Sequence, residues 1–385
     1  MQARSIKGGS TEEVGIELAK SIGHGFSPTV GIVFTSIRQD RKAICEILQN
    51  NGIDVVGATS CGEFIEGYQA IGSTVILLLD IPRDAYTIVF SAIKDKNVRD
   101  AAASLAQAAL DRFSNPAFIV CSTGVSVKGD LLDGEAVVRT IEELVGPQVN
   151  IYGGMAGDDG TFTGTYIFTH GNETDEGVAS LVLDENKISL HGMAISGWKP
   201  IGIFRTVTKS KGNLIYTIDD QPALDLYLKY LGKEPASVAD KFQIFDEIGL
   251  HYPFQVEREV GAPVMRTPMS FNTHENALVC DFDVPQGSKL RFSMPPDFDI
   301  VEKVLEGASE LKKDRNAEAE AVLIFSCAGR FSALGPLTSS ENDGLSEVWN
   351  APMAGFFTYG EYGRAINGKH EFHSTTCCWV ALKEK

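Results

Sequence analysis

Gly57-Ala58-Thr59-Ser60-Cys61-Gly62-Glu63-Phe64 follows the apolar run Asp54-Val55-Val56 and closes it in a cluster of small residues. An apolar run that stops at glycines, hydroxyls and one acid reads as a strand end turning a tight corner. The design returns twice. Gly153-Gly154-Met155-Ala156-Gly157-Asp158-Asp159-Gly160 follows Asn150-Ile151-Tyr152, and Gly355-Phe356-Phe357-Thr358-Tyr359-Gly360-Glu361-Tyr362 follows Ala354. The three stretches are expected to be equivalent corners of one repeated unit, with any ligand site at one or more of them.

The neighbours of each corner repeat as well. Gly31-Ile32-Val33-Phe34-Thr35-Ser36, Phe118-Ile119-Val120-Cys121-Ser122-Thr123-Gly124 and Leu323-Ile324-Phe325-Ser326-Cys327-Ala328-Gly329 precede the three corners. The runs ending Leu77-Leu78-Leu79, Ala179-Ser180-Leu181-Val182-Leu183 and Trp379-Val380-Ala381-Leu382 follow them. Continuous apolar runs of strand length are strands covered on both faces. Helical spacing over 40–49 and 133–145 supplies crossovers for the first two units, so the strands flanking each are parallel. Further helices are expected over 11–24, 98–113, 222–231 and 299–313, and one helical turn over 345–348. Between 233 and 300 the chain turns Pro-rich, with short strands. The fold class is mixed α/β: two domains with mixed, mostly buried sheets, and a threefold internal repeat of strand–helix–strand–strand units.

A chain of 385 residues has room for two or three cores. Its formal net charge of −17 repels phosphate backbones and anionic lipid, so neither nucleic acid nor a membrane surface is an expected partner. No apolar stretch is long enough to span a bilayer, and residues 1–10 lack the apolar core of a signal peptide. The seven cysteines form no CxxC pair and sit mostly in apolar runs, the usage of a reduced, cytoplasmic compartment. Consecutive Cys377 and Cys378 in a strand point to opposite faces.

Ligands of open α/β sheets bind beyond the carboxyl ends of parallel strands, which is where the corners lie. Glycines there admit backbone N–H groups to a ligand, and Thr59, Ser60, Ser122, Gly154 and Tyr359 stand beside them. Glu63 and Glu361 each follow a glycine; they bind a ligand or close their own turns. Arg330, at the end of an apolar strand, with a nearby acid, suits the carboxylate and ammonium of an amino-acid-like ligand; the other reading is a structural ion pair. Cys61 as a nucleophile needs a histidine base that the sequence does not place. His370-Glu371-Phe372-His373 is expected in a solvated loop rather than at a metal, and no CxxCH haem attachment occurs.

On these residues the chain resembles the FIST family, a prokaryotic sensory module. The resemblance is carried by Val55–Phe64, Ile151–Asp158, Gly197-Trp198-Lys199-Pro200-Ile201-Gly202, Pro222–Tyr227, Tyr230-Leu231-Gly232, Phe325–Arg330 and Gly355–Glu361. It implies a FIST N-terminal domain over 28–232 and a C-terminal domain over 233–382, after an N-terminal helical extension over 1–27. One departure is His373-Ser374-Thr375-Thr376, where the family has His-Asn-x-Thr. The resemblance implies a small ligand, an amino acid or derivative, and a signal passed to a kinase or cyclase. Without a transmitter segment, the chain is expected to be a stand-alone cytoplasmic sensor, not an enzyme and without cofactor. Two alternatives are carried forward: a haem-based nitric-oxide sensor using a histidine ligand, and a cysteine-dependent enzyme using Cys61. The candidate ligand-binding residues are Thr59, Ser60, Cys61, Glu63, Ser122, Gly154, Arg330, Tyr359 and Glu361.

Overall fold

The structure is a computed structural model describing residues 1–95, 97–233, 249–272 and 274–385. Part of the Pro-rich stretch, residues 234–248, therefore lies outside the described residues.

The repeat is present and longer than the sequence pattern indicated. Unit one runs through strand Gln2–Gly8, helix Thr11–Ser21, strand Val30–Thr35, helix Arg41–Asn50, strand Asp54–Thr59, the corner, hairpin Glu63–Ile65 and Tyr68–Ala70, and return strand Thr74–Asp80. Unit two repeats this with Tyr86–Ala92, Val98–Arg112, Pro116–Ser122, Gly134–Val145, Ile151–Met155, hairpin Ile167–Thr169 and Asn172–Thr174, and Gly177–Asp184. Unit three uses Ile188–Ile195, Asp299–Asp314, Ala321–Cys327, the helices Ala328–Leu334 and Leu337–Trp349, Met353–Thr358, hairpin Glu361–Arg364 and His370–His373, and Cys377–Glu384. The single turn expected over 345–348 is the end of a full helix. Its Ser, Asn and Asp content hides the helical period.

Within each unit the two strands around the second helical crossover pair in parallel, and the return strand pairs antiparallel with the first of them. The hairpins are exchanged. Glu63–Ile65 pairs with Met353–Thr358 of unit three, Ile167–Thr169 with Asp54–Thr59 of unit one, and Glu361–Arg364 with Ile151–Met155 of unit two. Each unit thus completes another's six-stranded sheet in a closed cycle.

The inner faces of the three sheets meet in one core, where Phe34 stacks on Phe356 with ring centroids 4.4 Å apart and Phe325 meets both edge-on. The outer faces of the sheets pack on helices, as Val33 and Val55 do in unit one and Ile324 and Trp379 in unit three. Burial on both faces is why these strands lack alternation. Cys377 faces the helices and Cys378 the shared core, as strand geometry requires.

Unit three is interrupted. Between its first strand and first helix lies an eight-stranded antiparallel sheet, from Pro200–Lys211 to Lys289–Ser293, with its own core around Tyr227, Phe254 and Phe292. The chain is therefore a threefold α/β body carrying one inserted β-domain.

Candidate functional site

The three corners converge. Gly157 N donates to Thr59 O at 2.8 Å, Cys61 N to Phe357 O at 2.9 Å, and Tyr359 N to Met155 O at 3.2 Å. Each bond links the corner of one unit to the strand end of another, and each contributes roughly 1 kcal/mol net. These backbone N–H groups, open to a ligand in the sequence reading, are spent on closing the ring. Glycine is required by proximity: a methyl group on Gly157 would lie 2.5 Å from Cys61 Sγ. Gly62 turns at φ 128°, a conformation L-residues rarely adopt.

The corner acids face inward. Glu63, fully buried, accepts from Ser60 Oγ and from Ser73 N (3.0 Å) and Oγ (2.9 Å). Glu361, also fully buried, accepts from Thr358 Oγ1 (2.6 Å) and from Thr376 N (3.3 Å) and Oγ1 (2.6 Å). Hydroxyls and amides, not cations, hold both, and burial pushes Glu63 up to about 7 and Glu361 up to about 8. Asp158, in the second corner, accepts from the backbone N–H groups of Phe162 (3.0 Å), Thr163 (2.6 Å) and Gly164 (3.0 Å), and from the Tyr359 phenol.

The other candidate residues sit in this ring or beside it. Thr59 Oγ1 takes the Tyr166 N–H at 2.9 Å, and Ser122 Oγ shares a hydrogen with the Tyr362 hydroxyl at 2.7 Å. Gly154 lets Thr358 pack against the backbone: a Cβ there would be 2.5 Å from Thr358 Cγ2. Cys61 lies against the Tyr359 hydroxyl, and burial pushes its thiol up to about 11. Its neighbour is a phenol, not an imidazole, so a thiolate nucleophile has no support here.

Arg330 is not at the ring. It lies in the helix Ala328–Leu334, fully buried, with Nε 3.0 and 3.1 Å from the two Glu341 carboxylate oxygens and Nη2 on the same carboxylate. Its Nη1 donates to Ser196 O, and its guanidinium stands 5.3 Å from the Trp198 ring centroid. Its acid partner is Glu341 and not Glu361.

Ser196 and Trp198 form one wall of a cleft of about 350 Å³ between the inserted domain and unit three. Lys303, Glu306 and Glu310 line it from one face of the helix Asp299–Asp314, Gln255 from the insert, and His373 and Thr376 from below. Lys303 Nζ is 3.8 Å from Asp299, while Glu306 and Glu310 are exposed. None of the three charged residues stands out in the sequence, because helical spacing of charges ordinarily marks a solvated face. Gly197-Trp198 was the available signal. Thr376 connects the cleft to the ring through Glu361.

The expectation of a solvated loop at His370–His373 is corrected. These residues form a strand in which both histidines are buried. His370 packs edge-on to Tyr152, and His373 Nε2 bonds Gly363 O at 3.1 Å; burial takes His373 down to about 3, so it is neutral. Among the described residues no cluster of metal-ligating side chains occurs. The cleft walls carry Lys303, Glu306 and Glu310, and Nε2 of its one histidine is bonded to Gly363 O. Ser374 donates to Asp281 of the insert, and Thr375 beside it adopts φ 57° while its hydroxyl meets Thr267 at 3.0 Å. A β-branched residue in that region costs about 1–3 kcal/mol and marks a junction the surroundings over-determine.

Fold and site define a two-domain α/β protein with a cleft at the seam of its inserted domain. The chain belongs to the FIST family: residues 29–221 match the FIST N domain and residues 223–364 the FIST C domain. An uncharacterized protein of Methanocaldococcus jannaschii is 29% identical over 193 residues, covering 47% of this chain and 36% of that protein. This chain thus matches about a third of that relative's length. No helix among the described residues is long and apolar enough to cross a membrane.

Proposed function

We propose that this protein is a small-ligand sensor, not an enzyme, and that an amino acid or amino-acid derivative binds in the seam cleft. One observation carries the reading. Three units are built alike, and the cleft lies where an inserted domain breaks that likeness. Lys303 suits the ligand carboxylate, Glu306 and Glu310 its ammonium, and Trp198 with Ile366 its side chain. Arg330 positions Ser196 and Trp198 from behind. The hairpin Glu361–His373 is the element a ligand would displace, since Ala365, Ile366 and His373 line the cleft and Glu361 joins the ring. The signal then passes to a separate protein, such as a histidine kinase or a cyclase, in the cytoplasm.

A thermal-shift screen of amino acids and dicarboxylates tests this, with Trp198 fluorescence as a second readout. A ligand that raises the melting temperature should lose its effect in Lys303→Ala and Glu306→Gln. Undiminished shifts in both variants would remove the cleft as the site.

A further inference from the structure

In each unit the outer strand and the unit's own hairpin are neighbours, and two of the three pairs are closed. In unit one, Ser5 Oγ donates to Glu66 in the hairpin turn and Lys7 Nζ lies 3.5 Å from the Tyr68 ring centroid. In unit three, Ala194 bridges to Ala365. In unit two the pair stands apart, and a groove of about 620 Å³ separates Tyr86–Ala92 from Thr169–Asn172. Tyr86 Oη donates to Asp54 at 2.7 Å and pins one end.

The strand Tyr86–Ala92 is the edge of its sheet. Asp184 N donates to Ala85 O, and Ile93 N to Glu176 O, so the odd-numbered residues face the partner strand. The N–H and C=O groups of Ile88 and Phe90 therefore point into the groove, unpaired among the described residues. No lysine, proline or bulge blunts this edge, the usual protections against strand addition. The rim is basic. Arg83 and Arg112 line the groove on a chain of formal net charge −17; Arg83 is ion-paired with Asp54, while Arg112 has no ion-pair partner among the described residues. An acidic strand complements Arg112, whereas a second copy of Tyr86–Ala92 carries no carboxylate to meet it.

We propose that this groove docks an extended, acidic segment of another protein, which adds as a seventh strand along Tyr86–Ala92. Main-chain bonds to Ile88 and Phe90 supply affinity, apolar side chains meet those two residues, and a Glu or Asp side chain answers Arg112. This goes beyond the ligand reading and does not depend on it.

The test uses the full chain and a fluorescein-labelled peptide, acetyl-Glu-Glu-Val-Thr-Val-Thr-Glu-Glu-amide, followed by anisotropy. The expected result is saturable, salt-sensitive binding, weakened about tenfold by Arg112→Glu. Ile88→Pro removes an outward N–H that no sheet bond uses, so it should abolish binding with the fold retained by circular dichroism. Phe90→Lys, which blunts the edge without touching the backbone, serves if the proline variant does not fold. Absence of saturable binding overturns the proposal. So does equal binding of the Lys-for-Glu peptide, or full binding to a folded edge variant. A dimer of the wild-type chain that the edge variants dissociate would name a second copy as the occupant and overturn it too.

Discussion

Arg330→Ala separates two roles for one residue. The guanidinium and the Glu341 carboxylate are both buried and bonded chiefly to each other. Removing one partner of such a pair leaves an uncompensated buried charge, a loss of about 3–5 kcal/mol. The Ser196 carbonyl loses its donor and Trp198 its cation neighbour in the same substitution. Urea unfolding should therefore show a lower midpoint with an unchanged slope. The double variant Arg330→Met/Glu341→Leu should recover most of the loss, because an apolar replacement of a buried pair is commonly neutral or stabilising. Ligand-induced thermal shifts should be reduced in the single variant and partly restored in the double. An Arg330→Ala variant within about 1 kcal/mol of wild type would show that the pair is not a buried structural anchor. Full stability with all ligand response gone would instead put the guanidinium on the ligand itself.

Three more outcomes are expected. Glu361, pushed up to about 8, and Glu63, up to about 7, stay protonated in the fold at pH values where the unfolded chain has ionised them. The folded state then binds more protons, so stability falls as pH rises from the ordinary carboxylate range through these values, by up to about 1.4 kcal/mol per pH unit for each group. Unfolding between about pH 7.5 and 8, above the range near 6.5 where the unfolded chain's histidines titrate, should show this slope, shallower in Glu361→Gln; an unchanged slope would count against it. Gly157→Ala should destabilise by about 1–3 kcal/mol, because the new methyl meets Cys61 Sγ and the Cys61 backbone, and calorimetry measures the loss. Cys61 should resist thiol reagents in the native protein at pH 8 and react on unfolding; rapid native labelling confirmed by mass spectrometry would contradict its buried, protonated state.

Much of the fold was legible along the chain. Val30–Thr35 and Ala321–Cys327 read as doubly covered strands because burial on both faces leaves no alternation. The repeated order of parts followed from local rules: glycine at the strand ends, and Asp40 and Asp133 capping the crossovers. The first strand of unit one, Gln2–Gly8, went unread because its alternating Arg, Ser and Lys match a turn or tail as well as an edge strand. The helix Leu337–Trp349 was nearly lost for want of helix formers, and tertiary packing against Leu305 and the sheet overrides its propensity.

The sequence by itself determined that three corners exist, that each ends a buried strand, and that Glu63 and Glu361 stand at two of them. Only the tertiary structure decided what those groups face. Hairpin exchange between units is a long-range pairing, and no local spacing encodes which sheet a hairpin joins. That exchange turns the corner N–H groups onto one another and leaves the acids with hydroxyls in the dark of the core. It also sends Arg330 to Glu341 rather than Glu361, since a helix the sequence barely announced carries the nearer carboxylate. The cleft follows the same logic: Trp198, Lys303 and Thr376 lie far apart along the chain, and meet only because an inserted domain folds back over the third unit.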